Sequence, residues 1–397
     1  MMRILIVEDS LLTRIMMQRS FEKWGYEVVA VDNINTALTV ILSEKIQFVI
    51  TDWIMPGGSG TELCQQVRAA ILPHYTYMIL VTALDDTQSV VQGMDAGADD
   101  FIRKPIQLDE LHARIRAGER VLELEKNLTE SNSKLMAATE VINRDLQMAA
   151  TMQRSLLPST SSNILGIAID WLFHPSTQLS GDIFNFFRLD AQHVGFYIVD
   201  VAGHGIASAM QSFTVSRLLS PDMGCTSHLH FSQSDSANCP VARSAPQVVA
   251  NLNRQFQTDT HNILYFTMIY GVIDTQACTL ELCQAGHPHP IYLPVGQPAR
   301  FIVNGGLPVG IIPDARYESV QLSYAVGDRL FLYSDGITEC ESPQGEMWGA
   351  ERLREFVDET RQLSVSEVIR LLDLRIRAWQ GSDSFEDDIS MLILEVG

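Results

Sequence analysis

The chain has 397 residues, of which 46% are apolar and 19% charged, with a formal net charge of −20. That is too long for one ordinary core and too apolar for a disordered tail, so two domains of about 100–250 residues joined by a connector are expected. The acidic balance argues against nucleic acid as a partner, and no apolar run reaches the roughly 18–20 residues that cross a bilayer, so a cytoplasmic protein without a membrane partner is expected.

Residues 1–122 alternate short β-branched runs with amphipathic helical stretches. The strand candidates are Arg3–Val7, Glu27–Val31, Phe48–Thr51, Met78–Val81 and Asp99–Ile102. This alternation predicts an α/β, flavodoxin-like, five-stranded parallel sheet, whose site lies at the carboxyl ends of the strands. Glu8, Asp9, Asp52, Thr82 and Lys104 all fall there.

Residues 123–157 read as a helical linker. Between Leu111 and Leu157 there is no Pro and one Gly, and Val121, Leu128, Leu135, Ile142, Ala149 and Leu156 repeat at heptad spacing. A coiled coil joining a homodimer is favoured over a lone helix packed on a neighbouring domain. Its seam is weakened at Ser131 and Asp145, as suits a connector that must shift. Leu157-Pro158 ends it.

Residues 158–397 change to many β-type runs (Ile167–Phe173, Val194–Val199, Tyr265–Ile273, Thr279–Ala285, Arg329–Tyr333, Ser390–Leu394) with two or three helices (Ser208–Leu219, Pro246–Gln257, Ala350–Glu359). An α+β β-sandwich is expected. Residues 220–245 are polar and aperiodic, and read as a loop insertion. The six cysteines form no C-x-x-C pair, so free thiols are expected rather than a zinc or redox site.

The N-terminal acidic group suits phosphoryl chemistry. An aspartate attacked by a phosphoryl group brings two anions together, and a Mg²⁺ held by the carboxylates Glu8, Asp9 and Asp52 would neutralise both. Thr82 offers a hydroxyl and Lys104 a compact cation to the phosphoryl oxygens. The segments VEDS, TDWIMPGGSG, VTAL and FIRKP resemble the receiver domains of bacterial response regulators of the CheY-like type. The resemblance implies that Asp52 accepts phosphate from a sensor histidine kinase or a histidine phosphotransfer protein. It also implies that Thr82 and Phe101 form the switch pair.

In the C-terminal half, aspartates stand in separate Gly-flanked or acidic turns after apolar runs: LSGDIF (Asp182), IVDVAGHG (Asp200), LYSDGITE (Asp335) and FEDDIS (Asp387, Asp388). One such turn is usually only a turn, but four next to strands point to convergence on hard cations such as Mg²⁺ or Mn²⁺. Two ions sharing a water can attack a phosphate ester without a protein nucleophile. With MQRSLLP, FTMIYGVID, AGHPHPIYL and GGLPVGI, these turns resemble the type-2C metal-dependent serine/threonine phosphatases, in their sporulation and stress-response branch (SpoIIE and RsbU types).

That resemblance implies a pair of Mn²⁺ or Mg²⁺ ions bridged by Asp200. The Val201 carbonyl, Asp182, Asp335 and Asp387 complete their shells, with Asp388 behind them, and the sequence leaves open an exchange of roles between Asp387 and Asp388. It implies as substrate a phosphorylated STAS-type anti-sigma-factor antagonist in a partner-switching pathway. Where the family has an acidic residue three positions after Gly-Gly-Asp, this chain has Asn185, which removes a negative charge. His287 and His289 read as loop architecture rather than ligands, because the resemblance implies a structural His-Pro-His-Pro turn there, and His204 stands between loop architecture and proton transfer, with architecture favoured. Phosphorylation of Asp52 is expected to repack the linker and order the metal site. The rival readings are a non-catalytic module that sequesters a partner, and a constitutive phosphatase whose receiver serves only for localisation.

Overall fold

The computed structural model describes residues 2–70, 72–83, 87–158, 162–203, 205–221, 229, 243–257 and 264–397. His204, Cys225, Cys239 and most of the 220–245 insertion lie outside the described residues. The chain divides into two compact units, Met1–Val141 and Ile142–Gly397.

In the first unit the strands run in the order Glu27–Val31, Arg3–Val7, Phe48–Asp52, Tyr77–Thr82, Asp100–Arg103, each neighbour parallel. Period-two alternation explains why these runs are apolar throughout. Leu5, Val7, Val49, Met78 and Leu80 enter the core on one face of the sheet, while Ile4, Ile6, Phe48, Ile50, Ile79 and Val81 enter the core on the other. A capping box between Ser59 and Glu62 starts the helix Gly60–Ala69.

The heptad stretch forms one helix, Leu108–Leu156, 49 residues long. It begins before the stretch read from the sequence, because its first turns complete the α/β unit: Leu111, Ile115 and Leu122 enter the second core. The single glycine, Gly118, faces Phe48 and Tyr77, where a Cβ would come within 2.4 Å and 2.7 Å of their rings. Beyond these turns Leu124, Leu128, Leu135, Met136, Ile142 and Met152 are exposed. No helix among the described residues is long and apolar enough to cross a membrane.

The second unit is a sandwich of two antiparallel sheets. The five-stranded sheet runs Ile183–Arg188, His193–Val201, Phe266–Asp274, Thr279–Ala285, Ser319–Ser323. The six-stranded sheet runs Arg300–Phe301, Ile291–Leu293, Arg329–Tyr333, Ile389–Val396, Ile167–His174, Ser162–Ile164. Strand Ile389–Val396 shows how the layers stack: Leu392, Leu394 and Val396 join the core shared with the five-stranded sheet, whereas Ile389, Met391 and Ile393 join a core closed by helices.

Those helices are Ala350–Glu359 and Val365–Gln380, the second of which the sequence reading passed over. Its signals were present: a Ser364/Glu367 capping box and apolar residues at 365, 368, 369, 372 and 376. Strands Ile183–Arg188, Ile291–Leu293 and Ser319–Ser323 were also not expected. The last alternates exposed and half-buried residues at a sheet edge, and so lacks the apolar run used to find strands.

Candidate functional site

At the carboxyl ends of the parallel strands, Glu8, Asp9 and Asp52 each bring a carboxylate oxygen to within 4.8 Å of the others, a spacing able to hold a cation. Lys104 reaches into the same group from the end of the strand Asp100–Arg103, across the intervening strand Tyr77–Thr82. Its Nζ lies 2.7 Å from Asp52 Oδ2 and 3.3 Å from Glu8 Oε2. Burial, then the charge of Asp52, pushes the Glu8 carboxyl up, and Lys104 pulls it back. Burial works to lower the Lys104 ammonium, but its hydrogen bond and attraction to Asp52 win and its pKa is raised.

Asp52 Oδ1 accepts the Trp53 backbone N–H at 2.8 Å, leaving Oδ2 with Lys104. Thr82 is buried at the end of the adjoining strand, and its carbonyl accepts the Lys104 N–H at 2.7 Å. Phe101 is half-buried beneath the Arg114 guanidinium, 5.7 Å from its ring centre. Gly60 has no room for a side chain, since a Cβ there would lie 2.3 Å from the Asp52 carbonyl oxygen.

In the sandwich unit, Asp200, Val201, Asp335, Asp387 and Asp388 line one cavity of about 520 Å³, together with Glu339. Asp200 is carried by the strand His193–Val201, Asp335 opens the short helix Asp335–Thr338, and Asp387 and Asp388 precede the strand Ile389–Val396. Burial first, then Asp335, Asp387, Asp388 and Glu339, raises Asp200 to about 7. Burial with Asp387 and Glu339 raises Asp335 to about 6.

Asp182 is fully buried and does not line the cavity, yet burial and the charges of Asp200 and Asp388 push its carboxyl well above the usual carboxylate range. The Ser390 and Ser334 hydroxyls act on the carboxyl and pull it partly back, but among the described residues its Oδ2 makes no hydrogen bond of good geometry. The charged neighbours that shift these aspartates are themselves carboxylates. An orphaned buried carboxylate oxygen beside mutually repelling carboxylates fits hard cations with oxygen ligands, and nothing in the donor set suits a soft metal.

Asp388 is differently engaged. One of its oxygens accepts Ser176 N–H (2.7 Å) and Ser176 Oγ–H (3.0 Å), and the other accepts Gly181 N–H (2.8 Å), so it ties the turn before Asp182 to the strand end. The same turn packs tightly: a Cβ at Gly181 would sit 2.8 Å from the Val201 carbonyl oxygen, and one at Gly336 would sit 2.1 Å from the Asp388 carbonyl oxygen. Asn185 stands opposite Tyr197 in the sheet, and with Ser216 it holds the Tyr197 hydroxyl. His287 Nδ1 lies 2.8 Å from Thr267 Oγ1, and His289 Nδ1 lies 3.0 Å from the Gln284 amide nitrogen.

Two participants escaped the sequence reading. Glu339 follows Asp335 by four residues on one helical turn, with its N–H bonded to the Asp335 carbonyl at 2.8 Å, so the D-G-I-T-E spacing could have found it. Gln153, in the last turn of the long helix, is buried. Its amide donates to the Ser180 carbonyl (2.6 Å) and accepts the Ser180 N–H (3.0 Å), two residues before Asp182. Both backbone groups of Ser180 are thereby held by one side chain.

Comparison with known proteins agrees with this division. Residues 190–397 match the family described as stage II sporulation protein E (SpoIIE), and residues 4–116 match the response regulator receiver domain. Over 196 residues the chain is 27% identical to the phosphoserine phosphatase RsbP of Bacillus subtilis, covering 49% of this chain and 45% of that protein. Over 114 residues it is 37% identical to the phosphate regulon transcriptional regulatory protein PhoB of Pseudomonas aeruginosa, covering 29% of this chain and 50% of that protein. Thus the chain spans about half the length of these relatives. Among solved structures, the SiaA-PP2C domain of Pseudomonas aeruginosa superposes with a TM-score of 0.55 at 18% identity, covering 66% of this chain and 99% of that one, which establishes the shared fold.

Proposed function

The chain belongs to the SpoIIE family and carries a response regulator receiver domain ahead of it, and on that premise we propose that it is a receiver-controlled protein serine/threonine phosphatase of the cytoplasm. The observation that carries this reading is the uncompensated carboxylate group around Asp182, Asp200 and Asp335, with its orphaned oxygen at Asp182. Asp182, Asp200, Asp335, Asp387 and the Val201 carbonyl would hold two Mn²⁺ or Mg²⁺ ions, which when bound supply an activated water and neutralise charge on the phosphate ester. Asp388 anchors the Asp182 turn through Ser176 and Gly181.

In the receiver, Glu8, Asp9 and Asp52 would hold one Mg²⁺, Asp52 accepts the phosphoryl group from a histidine kinase or phosphotransfer protein, and Lys104 balances the added charge. Thr82 and Phe101 respond as the switch pair. The exposed apolar row of the long helix supports pairing with a second copy of the chain, and the Gln153 grip on Ser180 gives a change in that pairing a route to Asp182. Such control requires a few kcal/mol of difference between two helix arrangements. The substrate class is a phosphoserine or phosphothreonine on a STAS-type anti-sigma-factor antagonist.

The test is phosphate release from a phosphoserine-bearing STAS protein by the purified full chain, with and without Mn²⁺ and with and without acetyl phosphate. Release that requires Mn²⁺ and changes with acetyl phosphate is expected. No Mn²⁺-dependent release under either condition sinks the assignment.

A further inference from the structure

Thr267 lies directly opposite Asp200 in the antiparallel ladder, so the two side chains stand on the same face of the sheet, and both line the acidic cavity. Its hydroxyl does not act alone. Thr267 Oγ1 is 2.8 Å from Nδ1 of His287, a ring that is 3% exposed. The loop bearing that histidine is held closely: the Gln284 amide donates to the His287 carbonyl, and Gly286, at φ +70°, leaves no space for a Cβ against Pro308.

Burial lowers the His287 imidazolium to about 3, so the ring is neutral and carries one proton. Nε2 makes no hydrogen bond of good geometry, and the backbone acceptor acting on the ring is that of Tyr333. With Nδ1 taken up by Thr267, Nε2 is the ring nitrogen left for the Tyr333 acceptor, and a proton there leaves no buried N–H without an acceptor to turn to. Nδ1 is then a bare lone pair, and the Thr267 hydroxyl must be the donor in the 2.8 Å contact.

We propose that Thr267 is a positioning residue of the phosphatase site: His287 takes its hydroxyl proton as a hydrogen bond, so that Oγ1 presents only lone pairs to the cavity, where it accepts a hydrogen bond from the water held beside Asp200 and turns that water's own lone pair toward phosphorus. Thr267 and His287 neither gain nor lose a proton: as the water oxygen bonds to phosphorus and the bond from phosphorus to the serine oxygen breaks, the proton that the water sheds balances the one that the serine oxygen takes up. This assigns the two histidine-loop and FTMIYGVID segments a shared task, and it rests on the phosphatase reading for its consequence but not for its geometry.

Two measurements test it. Nitrogen-15 NMR of the imidazoles in the metal-free full chain, with His287→Gln to assign the signal, reads the tautomer. The Nε2–H form is expected, and the Nδ1–H form overturns the proposal whether or not the protein has activity. Steady-state kinetics of Thr267→Val, an isosteric change, should lower kcat by about tenfold with KM held within about twofold, while Thr267→Ser restores kcat. A Thr267→Val enzyme with unchanged kcat overturns the proposal as well. A wild-type chain that shows the Nε2–H tautomer and no phosphatase activity would instead remove the functional reading and leave the tautomer assignment standing.

Discussion

At the ends of the parallel strands two of three gathered carboxylates, Glu8 and Asp52, share a lysine, whereas the charged neighbours that shift Asp182, Asp200 and Asp335 in the sandwich unit are carboxylates. Lys104 answers the repulsion among Glu8, Asp9 and Asp52 with a charge built into the chain, and their oxygens converge to within 4.8 Å. No described trio of carboxylates in the sandwich converges so closely. Burial first, and their mutual repulsion after it, favours the protonated form of its aspartates and raises Asp200 to about 7 and Asp335 to about 6. A site that carries its own cation can wait for a transient phosphoryl group. Under the proposed function, one that does not is completed by ions from solution.

The largest effect should separate the two sites by activity. Asp200→Asn is expected to cut Mn²⁺-dependent phosphate release by roughly 10³-fold, the scale of losing a group that stabilises transition-state charge. The same variant should still take up label from acetyl phosphate on Asp52, and Asp52→Asn should take up none. If Asp200→Asn abolishes labelling too, the sites are not independent and the contrast fails.

A smaller effect compares the backbones that hold each aspartate. A Cβ at Gly336 would lie 2.1 Å from the Asp388 carbonyl oxygen and one at Gly60 would lie 2.3 Å from the Asp52 carbonyl oxygen. Each Gly→Ala change should destabilise its own unit by about 1–3 kcal/mol through overpacking, measured by chemical denaturation. Mn²⁺ titration should weaken only for Gly336→Ala, and acetyl phosphate labelling only for Gly60→Ala.

A last measurement, which needs no substitution, reads the retained protons. Between the ordinary carboxylate value and about 6 to 7, the native Asp200 and Asp335 bind more protons than the unfolded chain does. The stabilisation from those protons is fully present at low pH and is lost as pH rises through about 6 and then about 7. In EDTA the sandwich unit should therefore lose stability from about pH 5 to about pH 8, by about 4 kcal/mol if both shifts hold in full. Thermal melts should show this slope without metal and its reversal in excess Mn²⁺, because the ions replace the protons. A flat profile in EDTA would mean the carboxylates do not repel one another in solution.

Much of this was legible in the residues because it is local. All five parallel strands were read from runs such as RILIV and FVITD, since strands buried on both faces are apolar at every position. The helix Leu108–Leu156 followed from the absence of Pro and the heptad row. The acidic turns stood out because Gly, Asp and an apolar run lie together in sequence. Ser319–Ser323 was not legible, because an edge strand that is half exposed carries no apolar signature. Gln153 was not legible either, because a polar residue in a mostly exposed helix is ordinary until its partner, Ser180, is known.

By itself the amino-acid order determined which segments become strands and helices and which turns carry carboxylates, since these depend on side-chain period and turn chemistry within a few residues. Only the tertiary structure decided which carboxylate is neutralised and which is not. Lys104 reaches Glu8, 96 positions away, and Asp388 reaches Gly181, 207 positions away, across strand ends, while Asp182 is enclosed with an oxygen unpaired. Charge interaction and desolvation depend on distance in space and on burial, and neither is written in the spacing of residues along the chain.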